Sequence, residues 1–244
     1  MHENRTENQT ANSALICVGL SHRSSSMQQR ECLANVVDHW AERCLQACPD
    51  GAEWALLSTC NRIELYLAIE GAPADVVTEL RRCTAAVTGL GEHELADTFY
   101  ISTGDETAEH LLSVAAGLDS MILGESQILG QVVKAYLRAV ERGSIGPALR
   151  GLFRAAIRTG KRVRSETALG RSPASVSSVA LDLAAARLGQ LRDRRLTVIG
   201  LGEIGGILLK IAKARGMRQV SVVNRTFARA QAVAEPGWKV YPLE

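Results

Sequence analysis

The sequence predicts an α/β chain with a ferredoxin-like α+β domain at the N-terminus, a helical linker, and then a partial Rossmann dinucleotide-binding domain. Three observations carry this. Up to residue 104, short apolar runs and helix-period segments alternate in the order βαββαβ. Beyond Gly104 the apolar period is helical for some eighty residues. Finally, the apolar run Arg195 to Ile199 enters Gly200-Leu201-Gly202-Glu203-Ile204-Gly205 and opens a helix.

Residues 1–13 are polar, lack the basic-then-apolar layout of a secretory signal, and read as a disordered leader. Leu15 to Leu20 reads as a strand, and Met27 to about Gln46 has helical spacing through Leu33, Val36, Val37 and Trp40. Glu53 to Ser58 and Ile63 to Ile69 are strand candidates on either side of a polar turn. Pro73 starts a helix through Val76, Val77, Leu80 and Val87 that ends at Gly89, and Thr98 to Ser102 is the fourth strand. This order places both helices on one face of an antiparallel sheet.

Helices are then expected over Glu106 to Ala116, Ile128 to Arg142, Pro147 to Val163 and Ser175 to Leu188, with breaks at Gly143, Gly146 and Gly170. This stretch is expected to link and space two domains. Lys134, Arg138 and Arg142 recur every four residues, as do Arg150, Arg154, Arg158 and Arg162, so each series forms a stripe on a helix. Such a stripe is either a solvated, carboxylate-paired face or a surface for RNA phosphates. The net charge of +2 hides an asymmetry: residues 1–133 carry 7 basic and 19 acidic side chains, residues 134–244 carry 21 and 7. That is −12 against +14, a polarity able to orient a polyanion.

With 46% apolar and 22% charged residues the composition is that of a soluble globular protein, and no apolar run is long enough to cross a bilayer. A cytoplasmic setting is expected. The six cysteines, Cys17, Cys32, Cys44, Cys48, Cys60 and Cys83, show no C-x-x-C spacing and read as reduced thiols. Cys44 and Cys48 would share a helix face, but His39 does not join them, and no metal site is expected.

The stretch Leu56-Leu57-Ser58-Thr59-Cys60-Asn61-Arg62-Ile63-Glu64 sets a cysteine in the polar turn between two strands. A free cysteine is commonly a small buried hydrophobe, or it is a nucleophile. Here Thr59 and Asn61 offer hydrogen bonds to a reacting carbonyl, and Arg62 would favour a thiolate or pair with a substrate carboxylate.

This string resembles the cysteine motif of the glutamyl-tRNA reductases. Gly117-Leu118-Asp119-Ser120-Met121-Ile122-Leu123-Gly124-Glu125-Ser126-Gln127-Ile128-Leu129-Gly130-Gln131 resembles a second long motif of that family, and Gly19-Leu20-Ser21-His22 its opening strand and turn. The resemblance implies an NADPH-dependent reduction of glutamyl-tRNA to glutamate-1-semialdehyde through a Cys60 thioester, the first step of five-carbon tetrapyrrole (porphyrin) synthesis. It implies substrate-binding roles for Thr59, Cys60, Asn61, Arg62, Ser120, Glu125, Ser126, Gln127 and Gln131, with Arg62 holding the substrate carboxylate. His110 would assist proton transfer at the thiol, and His22 is a weaker candidate; apart from the resemblance, His110 reads more often as a helix-packing or solvent-facing residue. Ser126 departs from the proline usual in the family, and Asp119, Glu125 and Gln127 read alternatively as helix caps around Gly124.

In the glycine motif, Gly200 would permit the turn, Gly202 the approach of a pyrophosphate, and Gly205 the packing of helix on strand. An acidic residue at the end of the second strand, Gln219 to Val223, would bind an NAD ribose; Asn224-Arg225-Thr226 stands there instead, and Arg225 suits the 2′-phosphate of NADP(H). The expected cofactor site is Gly200, Leu201, Gly202, Glu203, Ile204, Gly205, Asn224, Arg225 and Thr226. The expected domains are 14–165, catalytic, and 166–244, partial and NADP-binding, with Val220 to Val223 exposed as a sheet edge. The family's helical dimerisation region has no counterpart here, so the chain is expected to be a fragment or a natural truncation. The family further implies homodimerisation and a downstream aminomutase as partner. The alternative function is a non-catalytic tRNA- or partner-binding relative of the enzyme.

Overall fold

Four antiparallel strands, β1 (Ser13–Ser21), β2 (Glu53–Ser58), β3 (Arg62–Glu70) and β4 (Tyr100–Thr103), hydrogen-bond in the order β2-β3-β1-β4. That is the ferredoxin-like order expected from the βαββαβ pattern. The computed structural model describes residues 13–170 and 176–243. The expected leader lies outside the described residues except for Ser13, which opens β1. The chain divides into two units, Met1–Ser172 and Pro173–Glu244.

The helices on the first face differ in detail from the expectation. The single helix expected over Met27 to Gln46 is two, α1 (Met27–Asn35) and α2 (Val37–Leu45), broken at Val36. Ser26 caps α1 by accepting from the Gln29 amide while the Gln29 side chain accepts from the Ser26 amide. α3 (Ala74–Thr88) ends at Gly89, whose φ of 71° is open to glycine at little cost. A short helix, α4 (Glu92–Thr98), was not legible, because Leu95 and Thr98 are its only buried residues. Thr98 therefore ends a helix instead of opening a strand.

β3 is buried on both faces. Ile63, Leu65, Leu67 and Ile69 pack with Leu33, Trp40, Leu80 and Phe99 on the side of α1 to α4. Tyr66 and Ala68 pack with Leu111, Val114, Val132 and Phe153 on the other. Those residues come from α5 (Asp105–Ala116), α6 (Ser126–Glu141) and α7 (Pro147–Glu166). The helices expected only to space two domains thus close the second face of the sheet. Their apolar stripes need a partner surface, and the inward faces of β1, β2 and β3 supply it.

The start of α7 is fixed from across the sheet. Glu53 on β2 accepts from the amides of Ala148 at 3.0 Å and Leu149 at 2.7 Å, giving an anion to amides that a helix N-terminus leaves open. A Cβ on Gly146 would meet the Glu53 carboxylate and displace it from this position.

The second unit comprises α8 (Val176–Leu188), β5 (Arg195–Ile199), α9 (Glu203–Ala214), β6 (Gln219–Asn224), α10 (Phe227–Val233) and β7 (Lys239–Pro242). Ser175, the expected start of α8, lies outside the described residues. The strands are parallel in the order β5-β6-β7. Val220 to Val223 are therefore in a central strand, contrary to the expected edge; Val220 and Val222 are buried. The covering strand was missed because Lys239 to Pro242 is short and carries a proline, which weakens the strand signal.

Replacing Glu53 with alanine removes the α7 cap, and urea unfolding is expected to show a loss of about 1–2 kcal/mol. An unchanged midpoint would mean that the capping contact contributes nothing.

Candidate active site

A buried carboxylate organises the first unit's site. Glu64 points from β3 toward α5, is fully buried, and accepts hydrogen bonds from Arg62 (2.7 Å), Tyr66 (2.6 Å) and Tyr100 (2.5 Å). Nε2 of His110 on α5 lies 2.9 Å from the same carboxylate, and the His110 ring meets Tyr100 edge-on at 5.5 Å. Gly19 lies opposite Glu64 in the sheet, and a Cβ there would strike the Ile63 carbonyl and crowd Glu64. Burial alone would raise the Glu64 carboxyl, but the His110 hydrogen bond and the Arg62 charge outweigh it and hold it down to about 2. Burial and the Glu64 charge push Tyr66 and Tyr100 upward, so both remain donors.

Arg62 does not present its guanidinium to solvent as a carboxylate clamp would require; it is 1% exposed. Besides Glu64 it donates to the backbone carbonyl of Asp119 and, at 3.0 Å, to the Asp119 carboxylate. Asp119 also pairs with Arg23 at 2.6 Å. Arg62 thereby ties the cysteine turn to the second motif. In that motif, Gly117 and Gly124, with φ of 77° each, pinch the loop between them through a 2.9 Å bond from the Gly124 amide to the Gly117 carbonyl. The capping alternative does not hold for Asp119, which serves Arg62, and Glu125 stands at the α6 N-cap without a side-chain capping bond.

Cys60 is exposed at the tip of the β2–β3 turn. Thr59 builds the turn: its hydroxyl accepts from the amides of Asn61 (3.1 Å) and Arg62 (3.0 Å). Arg30 donates to the Cys60 carbonyl at 3.1 Å, and the His22 amide donates to the Asn61 carbonyl at 2.8 Å. The turn is thus fixed by its backbone while the thiol faces solvent. His110 is engaged at Nε2 by Glu64 and does not hydrogen-bond the thiol. It lines a cavity of about 530 Å³ together with Arg23, Tyr100, Glu109 and Asp119.

Two of the expected residues carry buried polar atoms without a hydrogen-bond partner among the described residues, His22 Nδ1 and Gln127 Nε2. An unmade bond of that kind costs about 1–3 kcal/mol, which a bound ligand or water would recover. Burial and the nearby Arg62 charge lower the His22 pKa and favour its neutral ring. Ser120 is half-buried in the pinched loop, Glu125 is buried, and Ser126 opens α6. Gln131 borders a separate depression beside Ser58 and Lys134. Sequence reasoning missed Glu64, Tyr100 and Arg23 as members of the site. The available signal was the polar series Arg62, Glu64, Tyr66 at period two in an otherwise apolar strand.

In the second unit each motif glycine has its own reason. Gly200 has φ of 90°; a Cβ on Gly205 would strike the Gly200 carbonyl; a Cβ on Gly202 would meet nothing within 4 Å. The Gly202 backbone is therefore open to a ligand at the start of α9, as a pyrophosphate requires. Asn224 holds the loop, its Oδ1 accepting from the Leu201 amide at 3.1 Å and its Nδ2 donating to the Thr226 carbonyl at 2.9 Å. Leu201 is buried, Ile204 is exposed, Glu203 begins α9, and Arg225 is exposed immediately beyond β6.

The family described as Glutamyl-tRNAGlu reductase, N-terminal domain, matches residues 18–167. Shikimate / quinate 5-dehydrogenase matches residues 182–241. A glutamyl-tRNA reductase of Synechococcus sp. (strain RCC307) is 40% identical over 233 residues, 91% of this chain and 52% of the relative. One of Deinococcus radiodurans is 39% identical over 231 residues, 94% and 63%. The solved glutamyl-tRNA reductase of Methanopyrus kandleri matches with a TM-score of 0.52 at 32% identity, covering 93% of this chain and 54% of that one. The chain thus spans about half to two thirds of the length of these relatives.

Folding holds the Glu64 pKa at about 2, below its ordinary value of 4.5. Its contribution to stability is therefore complete above pH 4.5 and lost as pH falls toward 2. Glu64→Gln is expected to remove that dependence and, by leaving Arg62 short of counter-charge, to cost about 3–5 kcal/mol. Unfolding measured between pH 2 and 6 checks both; an identical acid limb in the variant would place the dependence elsewhere.

Proposed function

This chain belongs to the glutamyl-tRNA reductase family, and on that premise we propose that it takes the glutamyl group of glutamyl-tRNA onto Cys60 for NADPH-dependent reduction to glutamate-1-semialdehyde. The observation that carries this reading is the exposed Cys60 thiol on a turn whose backbone Thr59 fixes. A nucleophile must reach its electrophile from a defined position, and the turn supplies that.

The Cys60 thiolate attacks the aminoacyl ester carbonyl, a C–S bond forms, and the C–O bond to the RNA breaks, its oxygen leaving with a proton. A bound nicotinamide would supply the hydride that converts the thioester to aldehyde and frees the thiolate. Thr59, Asn61, Ser120, Glu125, Ser126, Gln127 and Gln131 form the substrate side, and the orphaned Gln127 amide supports their assignment. Arg62 acts from beneath, fixing Asp119 and the pinched loop, and Arg23 is the cation that reaches the cavity. Glu64 fixes the His110 ring through Nε2, leaving its other nitrogen to accept or pass on a proton at the site. We assign residues 14–165 to this catalytic role and residues 166–244 to NADPH.

In the second unit the Gly202 backbone suits the pyrophosphate and Arg225 the 2′-phosphate, which selects NADPH over NADH. The excess of basic residues after residue 134 suits an RNA substrate. The six free cysteines suit a reducing, cytoplasmic setting, and among the described residues no helix is long and apolar enough to cross a membrane.

Cys60→Ser is expected to abolish aldehyde formation from glutamyl-tRNA in a product assay; aldehyde from that variant would sink the proposal. Arg225→Ala is expected to weaken NADPH binding about tenfold while leaving NADH binding unchanged, the scale of one lost charge-assisted contact. Equal weakening of both nucleotides by fluorescence titration would remove Arg225 from the 2′-phosphate site.

A further inference from the structure

Strand β2 is an edge of its sheet, and α6 runs beside it. Between them lie two depressions of about 260 and 190 Å³ that share Leu56, Ser58, Ala135 and Arg138 and so form one groove. Trp54 and Arg142 line only the first, Gln131 and Lys134 only the second. Ser58, which lines both, ends β2 two residues before Cys60.

Its chemistry is basic and aromatic. Lys134, Arg138 and Arg142 recur every fourth residue and line the groove over roughly 12 Å at 1.5 Å per residue. All three are exposed, and among the described residues none is paired with a carboxylate. Asp38 is the single acid on the groove wall. The Arg142 guanidinium lies 5.6 Å over the Trp54 ring, offering a planar stack. On the second stripe, on α7, Arg162 pairs with Glu166, Arg154 donates to the Tyr136 hydroxyl, and Arg150 donates to the Ile145 carbonyl, while Arg158 is exposed. Lys134 and Arg138 on α6 are distinguished by lining this groove.

We propose that this groove holds the unpaired 3′-terminal nucleotides of the aminoacyl-RNA substrate and delivers the ester to Cys60. The inference rests on the function proposed above and names the path by which its substrate reaches the thiol. Phosphates require closely spaced cations, which Lys134, Arg138 and Arg142 supply. Bases released from a duplex stack on aromatic and guanidinium planes, which Trp54 and Arg142 supply; bases inside a duplex have no free face to offer.

The test measures binding of uncharged tRNA to the full chain and to the double variant Lys134→Gln/Arg138→Gln, across a salt series. Each RNA is used intact and without its unpaired 3′-terminal nucleotides. The groove predicts that the variant binds intact tRNA about tenfold more weakly, with a salt slope reduced by about 1.4 for two single-strand contacts, and binds the shortened tRNA as the wild type does. Equal weakening of both RNAs, or of neither, overturns it. In parallel, wild-type Cys60 is challenged with glutamyl-tRNA and with a small glutamyl thioester. Acylation by neither defeats the proposed function, whereas acylation by both together with a groove-insensitive RNA affinity defeats this inference alone.

Discussion

The ion pair between Arg62 and Glu64, side by side on a strand buried on both faces, is the constraint on which the first unit's site depends. Neither charge is tolerable there alone. Each therefore recruits partners until the network closes: Tyr66 from the same strand, Tyr100 from the edge strand, His110 from the helix above, and Asp119 from the pinched loop. Four separate segments are thereby held to one point. Cys17 Sγ, a Glu64 oxygen and a His110 nitrogen fall within 4.8 Å of one another. The carboxylate is already satisfied by its protein donors, so the cluster holds the site in place through hydrogen bonds.

This arrangement divides the labour in the site. Polar groups inside the sheet set geometry, whereas the Cys60 thiol is exposed at its rim and Arg23, paired with Asp119, lines the cavity beside His110. Thr59 performs the same service for the turn that Arg62 performs for the loop. In the second unit Asn224 does so for the glycine loop, where an acidic side chain would instead occupy a ribose. Thr59 and Asn224 are short polar side chains that spend their hydrogen bonds on backbone, and the residue after each, Cys60 and Arg225, is left exposed.

Much of this was legible in the sequence wherever period and turn chemistry agreed. The four strands of the first sheet, the helix ending at Gly89 and the strand-turn-helix at Gly200 to Gly205 follow from patterns local to a few residues. The reasons given for two of the three motif glycines also hold in the backbone: a positive φ at Gly200 and a collision at Gly205. What was not legible is non-local or weakly apolar. Arg62 has the composition of a substrate clamp, and only the second face of the sheet, closed by α5 to α7, turns it into a buried tie. α4 and β7 have too few apolar residues to announce themselves. The break at Val36 falls inside an uninterrupted helical period. The two basic stripes look alike in sequence, yet in the fold three of the four arginines of the α7 stripe have polar partners, whereas Lys134 and Arg138 on α6 line a groove beside β2.

If the fold presents Cys60 as the acyl acceptor, mass spectrometry of the 244-residue chain after brief exposure to glutamyl-tRNA without nucleotide, quenched in acid and digested, will register it. One glutamyl group is expected on the peptide containing Cys60, labile to hydroxylamine as a thioester is, and absent from the peptides of the other five cysteines. An unmodified Cys60, or acylation spread over Cys32 and Cys60 alike as exposure alone would dictate, would contradict it.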